Sequence, residues 1–288
     1  MDKKLLLLAY AFFGLIPSGR SAVKFPEADT VKRMLVTYDL EYGRKLNDRQ
    51  QAEVLTLDVY EPRDDRTQKP VIILVHGGGF GSGDKQEDLF VKMATAFAGH
   101  EYLVFVVNYR LKGPGIPCGQ EVLERAVSDV ADAVNWIKKN RKRFKADTSR
   151  MIICGDSAGG AIAVNLCFDQ ARDRTFAGCI DLWGGMCNPP GPGYAHRLPW
   201  SVPVYEKQLS GEIPPVCIIH GTSDEVVPYS TSTELSAQLS SKGIYNELHS
   251  LEGARHFPEQ KAVEFIPVMI AFSDKVISGK ANKNHSSL

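Results

Sequence analysis

The sequence predicts an α/β protein: a mostly parallel sheet with helices packed on both faces. Three observations lead there. Short strand-like segments alternate with helical stretches along the chain. The runs Val71-Ile-Ile-Leu-Val75, Leu103-Val-Phe-Val-Val107 and Val216-Cys-Ile-Ile219 are unbroken and apolar, as parallel strands buried on both sides require. The helical stretches keep their apolar residues to one side.

Taken in order, strands are expected at 36–42, 54–61, 71–76, 103–109, 151–154, 178–183, 216–220 and 247–251. The first two precede any helix and give an antiparallel-looking start. In the second, Leu55, Leu57 and Val59 alternate with Thr56, Asp58 and Tyr60, the pattern of a strand with one wet face. Helices are expected at 87–100, 121–144, 158–171, 230–242 and 259–277. The first aligns Leu89, Phe90, Met93, Ala94 and Phe97, and the second Val122, Ala126, Val130, Ala133, Val134 and Ile137. Lys242-Gly243 stops the fourth helix ahead of the last strand. With no repeat and no internal linker, residues 23–288 read as one domain, with a flexible tail over 278–288.

Residues 1–22 are set apart as a secretory signal peptide. Lys3 and Lys4 precede an uncharged run from Leu5 to Ile16, too short to span a bilayer, followed by Pro17 and small residues. A secreted or periplasmic protein is therefore expected, with no stable membrane anchor once the leader is removed. Lys plus Arg equals Asp plus Glu at 34 each, which leaves no net-charge argument for nucleic acid. The basic run at Lys138, Lys139, Arg141, Lys142, Arg143 and Lys145 closes a helix, where cations complement the helix dipole. Cys154, Cys179 and Cys217 sit inside apolar strands as small hydrophobes, and Cys167 in a helix. Cys118 and Cys187, both in loops, are the pair able to bridge, which spacing does not decide. No Cys/His spacing suits a metal, and no cofactor is expected.

The residues that carry chemistry lie at strand ends. Gly155-Asp156-Ser157-Ala158-Gly159-Gly160 follows a strand and opens a helix. The chain must reverse sharply at Ser157, so glycines flank it and its hydroxyl is left exposed as a nucleophile. A helix N-cap alone would not need glycines on both sides. His76-Gly77-Gly78-Gly79-Phe80 ends another buried strand. Its glycine run can turn backbone N–H groups toward the negative oxygen that develops in acyl transfer, while His76 packs beneath the loop. Asp224 follows the strand at 216–220, with Glu225 as its rival for the acid. His256 follows the last strand and is the base. The order Ser157, Asp224, His256 is the one found with a strand-to-helix nucleophile turn. His220 and His249, within or at the end of strands, read as core or surface histidines.

These motifs carry a resemblance. HGGGF, Asn108-Tyr-Arg-Leu111, GDSAGG, HGTSDEVVP and GARHF, in this order, resemble the carboxylesterase/lipase-like branch of the α/β-hydrolase superfamily. Leu57-Asp-Val-Tyr60 ahead of HGGGFGSGDK narrows the resemblance to bacterial esterases of the feruloyl and acetylxylan type. It covers about Val54 to His256. It implies the α/β-hydrolase fold with its eight-stranded sheet, a Ser-His-Asp triad, and an oxyanion hole formed by the N–H groups of Gly78, Gly79 and Ala158. Arg255 departs from the small residue expected before the base, and is read as a salt-bridge or substrate contact.

The expected partner is a small-molecule ester, soluble or carbohydrate-linked. The stretch 184–215 is rich in Pro and Gly and should cover the carboxyl edge of the sheet. Its prolines at 189, 190, 192, 199, 203, 214 and 215 block the amphipathic lid helix of an interfacial lipase. Tyr194, Trp200 and Tyr205 are candidates to stack on a flat substrate group, or else they pin the loop to the core. Three rivals stand beside the esterase. A peptidase of the prolyl-oligopeptidase type shares the triad order. A trypsin-like protease fails, because Ala158 interrupts its motif and its acid and base would precede the serine. A binding protein on this fold would usually have lost the serine.

Overall fold

The computed structural model describes residues 34–169, 174–184 and 213–281. The expected leader at 1–22, Cys187, Tyr194, Trp200, Tyr205 and most of the stretch 184–215 lie outside them, as do residues 282–288.

Eight strands form one sheet: β1 (Met34–Leu46), β2 (Ala52–Pro62), β3 (Lys69–Val75), β4 (Leu103–Val107), β5 (Ala146–Asp156), β6 (Gly178–Leu182), β7 (Val216–Gly221) and β8 (Asn246–Leu251). Their order is β1-β2-β4-β3-β5-β6-β7-β8. β1 and β2 are antiparallel, β2 meets β4 antiparallel, and every pairing from β4 through β3 to β8 is parallel. The helices are α1 (Asp88–Gly99), α2 (Gln120–Phe144), α3 (Ala158–Asp169), α4 (Ser230–Ser241) and α5 (Ala262–Ile277). None among the described residues is long and apolar enough to cross a membrane.

The strict alternation of side chains along a strand divides the core in two. Val71, Ile73 and Val75 of β3 point into a cluster with α2, α3 and α4, whereas Ile72 and Leu74 point into one with α1 and α5. Both faces of the central strands are thus covered, which is why those strands read as continuous apolar runs. α2 stops at Lys145, which takes the left-handed conformation at φ 54°, with Arg141, Lys142 and Arg143 in its last turn.

Three expectations need correction. β2 keeps a wet face only at its start, where Thr56 is half-buried: Asp58 and Tyr60 are as buried as Leu57 and Val59. Asp58 is tolerated there because Lys85 approaches at 3.2 Å and Gln86 donates from 3.0 Å, so an alternating polar residue marks a buried ion pair. β5 begins at Ala146, five residues before its apolar run, because Ala146 already pairs with Lys69 at the start of β3. The last helix opens as a 3-10 turn, Glu259–Lys261, and becomes α-helical only from Ala262.

Candidate active site

The turn at Ser157 is built from close backbone contacts. Ser157 sits at φ 48°, the left-handed region that side chains avoid, and its N–H donates to the Leu182 carbonyl at 2.8 Å. A Cβ on Gly155 would come within 2.1 Å of the Gly159 carbonyl oxygen, and one on Gly159 within 2.1 Å of the Val75 oxygen. The glycines therefore let α3 fold back onto β5 and β3 at backbone contact. That packing projects the Ser157 hydroxyl above the strand ends.

His256 reaches it from the loop after β8. Its Nε2 lies 2.9 Å from Ser157 Oγ and its Nδ1 lies 2.7 Å from Asp224 Oδ2. With Nδ1 donating to the carboxylate, Nε2 is free to accept the serine hydrogen. Asp224 is fully enclosed, in the loop after β7. Its Oδ1 accepts the N–H groups of Val226 and Val227, both at 2.8 Å. Burial pushes this carboxyl up, but hydrogen bonds from His220, His256 and Val227 outweigh it and hold the group well below the usual carboxylate range. Glu225 faces away. It pairs with Arg255 at 2.6 Å and sits 3.4 Å from the backbone nitrogen of His256. Arg255 thus makes the salt bridge that was one of its two expected roles.

Ser157, His256, Gly78, Gly79 and Ala158 line one cavity of about 590 Å³. Ala158 is the first residue of α3, so its N–H has no acceptor inside the helix. Gly78 and Gly79 take φ 89° and 57°, and the Gly78 carbonyl is turned away to accept from Gly81 and Ser82. A Cβ on Gly78 would come within 2.2 Å of the Ser82 oxygen. The remaining lining residues include Leu89, Val226, Val227 and Phe257, together with Glu87, Asp88, Asp156 and Glu259.

The glycine loop is braced by residues that the sequence singled out only by resemblance. Tyr109 donates its hydroxyl to the carbonyls of His76 and Gly77, each at 3.0 Å, and its ring stacks on His76 at 4.5 Å. Asn108 accepts the Lys85 N–H at 2.7 Å and donates to Asp84 at 2.8 Å. Arg110 clamps the buried Asp129 through two nitrogens at 2.7 and 2.8 Å. The Asn108–Leu111 segment is therefore structural, and a run of polar residues straight after a buried strand is the signal that could have shown it. His76 is buried as expected. Cys118 places its sulfur 3.3 Å from the Gly79 carbonyl. One residue was missed: His220 touches Asp224 directly, at 3.0 Å.

Comparison with known proteins fits this geometry. The BD-FAE family model matches residues 57–180, and the prolyl oligopeptidase family model matches 180–280. A chlorogenic acid esterase of Aspergillus niger is 26% identical over 163 residues, covering 54% of this chain and 32% of that one. The chain spans a third or less of the length of this and four further curated relatives. Among solved structures, esterase B of Lactobacillus rhamnosis bearing a tributyrin phosphonate superposes with a TM-score of 0.68 at 18% identity, covering 88% of this chain and 89% of that one. Thermogutta terrifontis esterase 2 phosphorylated by paraoxon superposes with a TM-score of 0.64 at 21% identity, covering 82% and 94%. At these identities the likeness to solved structures is one of fold. Sheet order and the glycine-flanked turn at Ser157 give this chain the α/β-hydrolase fold, and its two adjoining parts resemble the BD-FAE and prolyl oligopeptidase families.

Proposed function

We propose that the protein is a carboxylic-ester hydrolase that works through a covalent acyl-enzyme on Ser157. The observation that carries this reading is the unbroken chain from Ser157 Oγ through His256 to Asp224, with steps of 2.9 and 2.7 Å, opening on an apolar-walled cavity. His256 takes the Ser157 proton as the oxygen attacks the ester carbonyl. Asp224 keeps the imidazole in the tautomer that can accept, and balances its charge once it has. The negative oxygen of the tetrahedral intermediate rests on the N–H groups of Ala158 and of Gly78 or Gly79. Losing one such donor costs about 3–4 kcal/mol of transition-state stabilisation. His256 then protonates the leaving alcohol, and water repeats the cycle on the acyl-enzyme.

The substrates proposed are small soluble or carbohydrate-linked esters rather than emulsified triglycerides. The prolines of residues 184–215, which disfavour an amphipathic lid, support this. The match of residues 180–280 to the prolyl oligopeptidase family favours a second reading, a peptidase using the same triad. One experiment addresses both. The protein is labelled with a fluorophosphonate and assayed on a chain-length series of nitrophenyl esters, methyl ferulate, emulsified triolein and a prolyl nitroanilide. Short and aromatic esters should be cleaved fastest, and Ser157→Ala should abolish both labelling and turnover. Labelling that survives Ser157→Ala would remove the nucleophile assignment. Faster cleavage of the anilide than of every ester would establish the peptidase instead.

A further inference from the structure

The carboxylate oxygen that pairs with His256 has a second imidazole on it. His220 Nε2 lies 3.0 Å from Asp224 Oδ2 and also 3.0 Å from the Val227 carbonyl oxygen. Both of those atoms can only accept, since Asp224 is held ionised. His220 must therefore carry a hydrogen on Nε2, whatever its charge. Its Nδ1 lies 2.6 Å from the hydroxyl oxygen of Ser232, which can donate to it and complete the neutral ring. The ring is fully buried and stands edge-on to Tyr229 at 5.8 Å. With both nitrogens engaged and the ring buried, it has one orientation, and that orientation aims a donor at the triad.

Two imidazoles then share the electron density of a single oxygen. A donor on Oδ2 lowers the proton affinity of Asp224, and with it the ability of Asp224 to stabilise a charged His256. A general base that is too basic stays protonated at working pH and cannot accept the serine proton. We propose that His220 is a positioning residue of the triad: its Nε2–H fixes the Asp224 carboxylate and shares with His256 the oxygen that orients it. This rests on the reading of Ser157, His256 and Asp224 as a triad. The other ionisable groups facing the pair are Asp181 and Tyr229 beside His220, Asp156 on the nucleophile turn, and the Glu225–Arg255 pair behind His256. Of these, Asp181 also interacts with His220 and is common to both substitutions below.

Two substitutions of similar polarity separate positioning from packing. The shorter amide of His220→Asn can still meet Ser232 but does not reach Asp224, whereas the amide nitrogen of His220→Gln can stand where Nε2 stood. The titration of His256 is followed through its side-chain nitrogen resonances, beside the pH profile of kcat/KM on nitrophenyl acetate. In His220→Asn the His256 titration and the acid limb of the profile should both move up by about half to one pH unit, and in His220→Gln both should stay near wild type. Coincident His256 titrations in all three proteins, or an equal shift in both variants, would overturn the proposal. The wild-type spectra also report the His220 tautomer, so a ring without hydrogen on Nε2 overturns it even if a variant does not fold. The titration needs no turnover, so its outcome is independent of the ester panel and of Ser157→Ala.

Discussion

Asp224 and Glu225 are adjacent carboxylates with opposite surroundings. Asp224 is enclosed and accepts from two imidazoles and two backbone N–H groups, while Glu225 is exposed and bound to Arg255. Asp224→Asn should lower kcat by about 10⁴, because the amide favours the wrong His256 tautomer. Glu225→Gln should leave kcat within about threefold, since an exposed ion pair contributes little. Steady-state kinetics of the two variants on one nitrophenyl ester check this, and the reverse ranking would reassign the acid. At this scale the sequence was readable where a residue must be of one type. Ser157, between glycines in a strand-to-helix turn, is such a place. It was not readable for His220, whose role depends on a carboxylate four residues later bending back over it. No local pattern separates that histidine from one merely packed in the core.

The elements were legible because each obeys its own period. The continuous runs became β3, β4 and β7, and the one-sided stripes became α1 and α2. Failures fell where a tertiary partner overrode the local pattern, as with Asp58 facing Lys85 instead of water. The junction of β5, α3 and β3 shows how tightly elements constrain a residue. Gly159 has no room for even a methyl group, since its Cβ would lie 2.1 Å from the Val75 oxygen and 2.6 Å from that of His76. Gly159→Ala should cost about 3 kcal/mol by forcing α3 away from the sheet. It should also lower activity, because α3 carries the Ala158 N–H. Urea denaturation with a parallel ester assay checks both, and an unchanged midpoint would show that the junction can relax.

At the scale of the whole molecule, buried carboxyls make stability depend on pH in two directions. Burial pushes Asp156 up to about 7 and Asp181 up to about 6. The native protein therefore holds protons that the unfolded chain releases above about pH 4. This stabilising contribution is complete below about pH 4 and is lost as pH rises through those folded values. Asp224 and Glu247 act in the opposite sense. Hydrogen bonds, that of His249 first, hold Glu247 at about 2, so stability present above the unfolded value is lost as pH falls. The melting temperature should peak on the acid side of neutrality. Asp156→Asn, which keeps an acceptor for the Gly77 N–H, should flatten the decline between about pH 4 and 7. A melting series across pH for both proteins tests this, and an equal alkaline decline in each would show that Asp156 does not titrate there. None of this was visible in a sequence with zero formal charge, because the asymmetry lies in which carboxyls the sheet encloses.

The acidic residues among those lining this mostly apolar cavity also bear on how a turnover ends. Glu87, Asp88 and Glu259 line the cavity, Lys92 offsets only Glu259, and neither Lys nor Arg stands among the lining residues described. A neutral ester enters such a chamber without electrostatic cost. Hydrolysis turns its acyl half into a free acid, which becomes an anion among carboxylates near neutral pH. On the proposed reaction, then, the chamber that admits the substrate repels one of its two products. Departure of the acid is driven by the charge that the reaction itself creates.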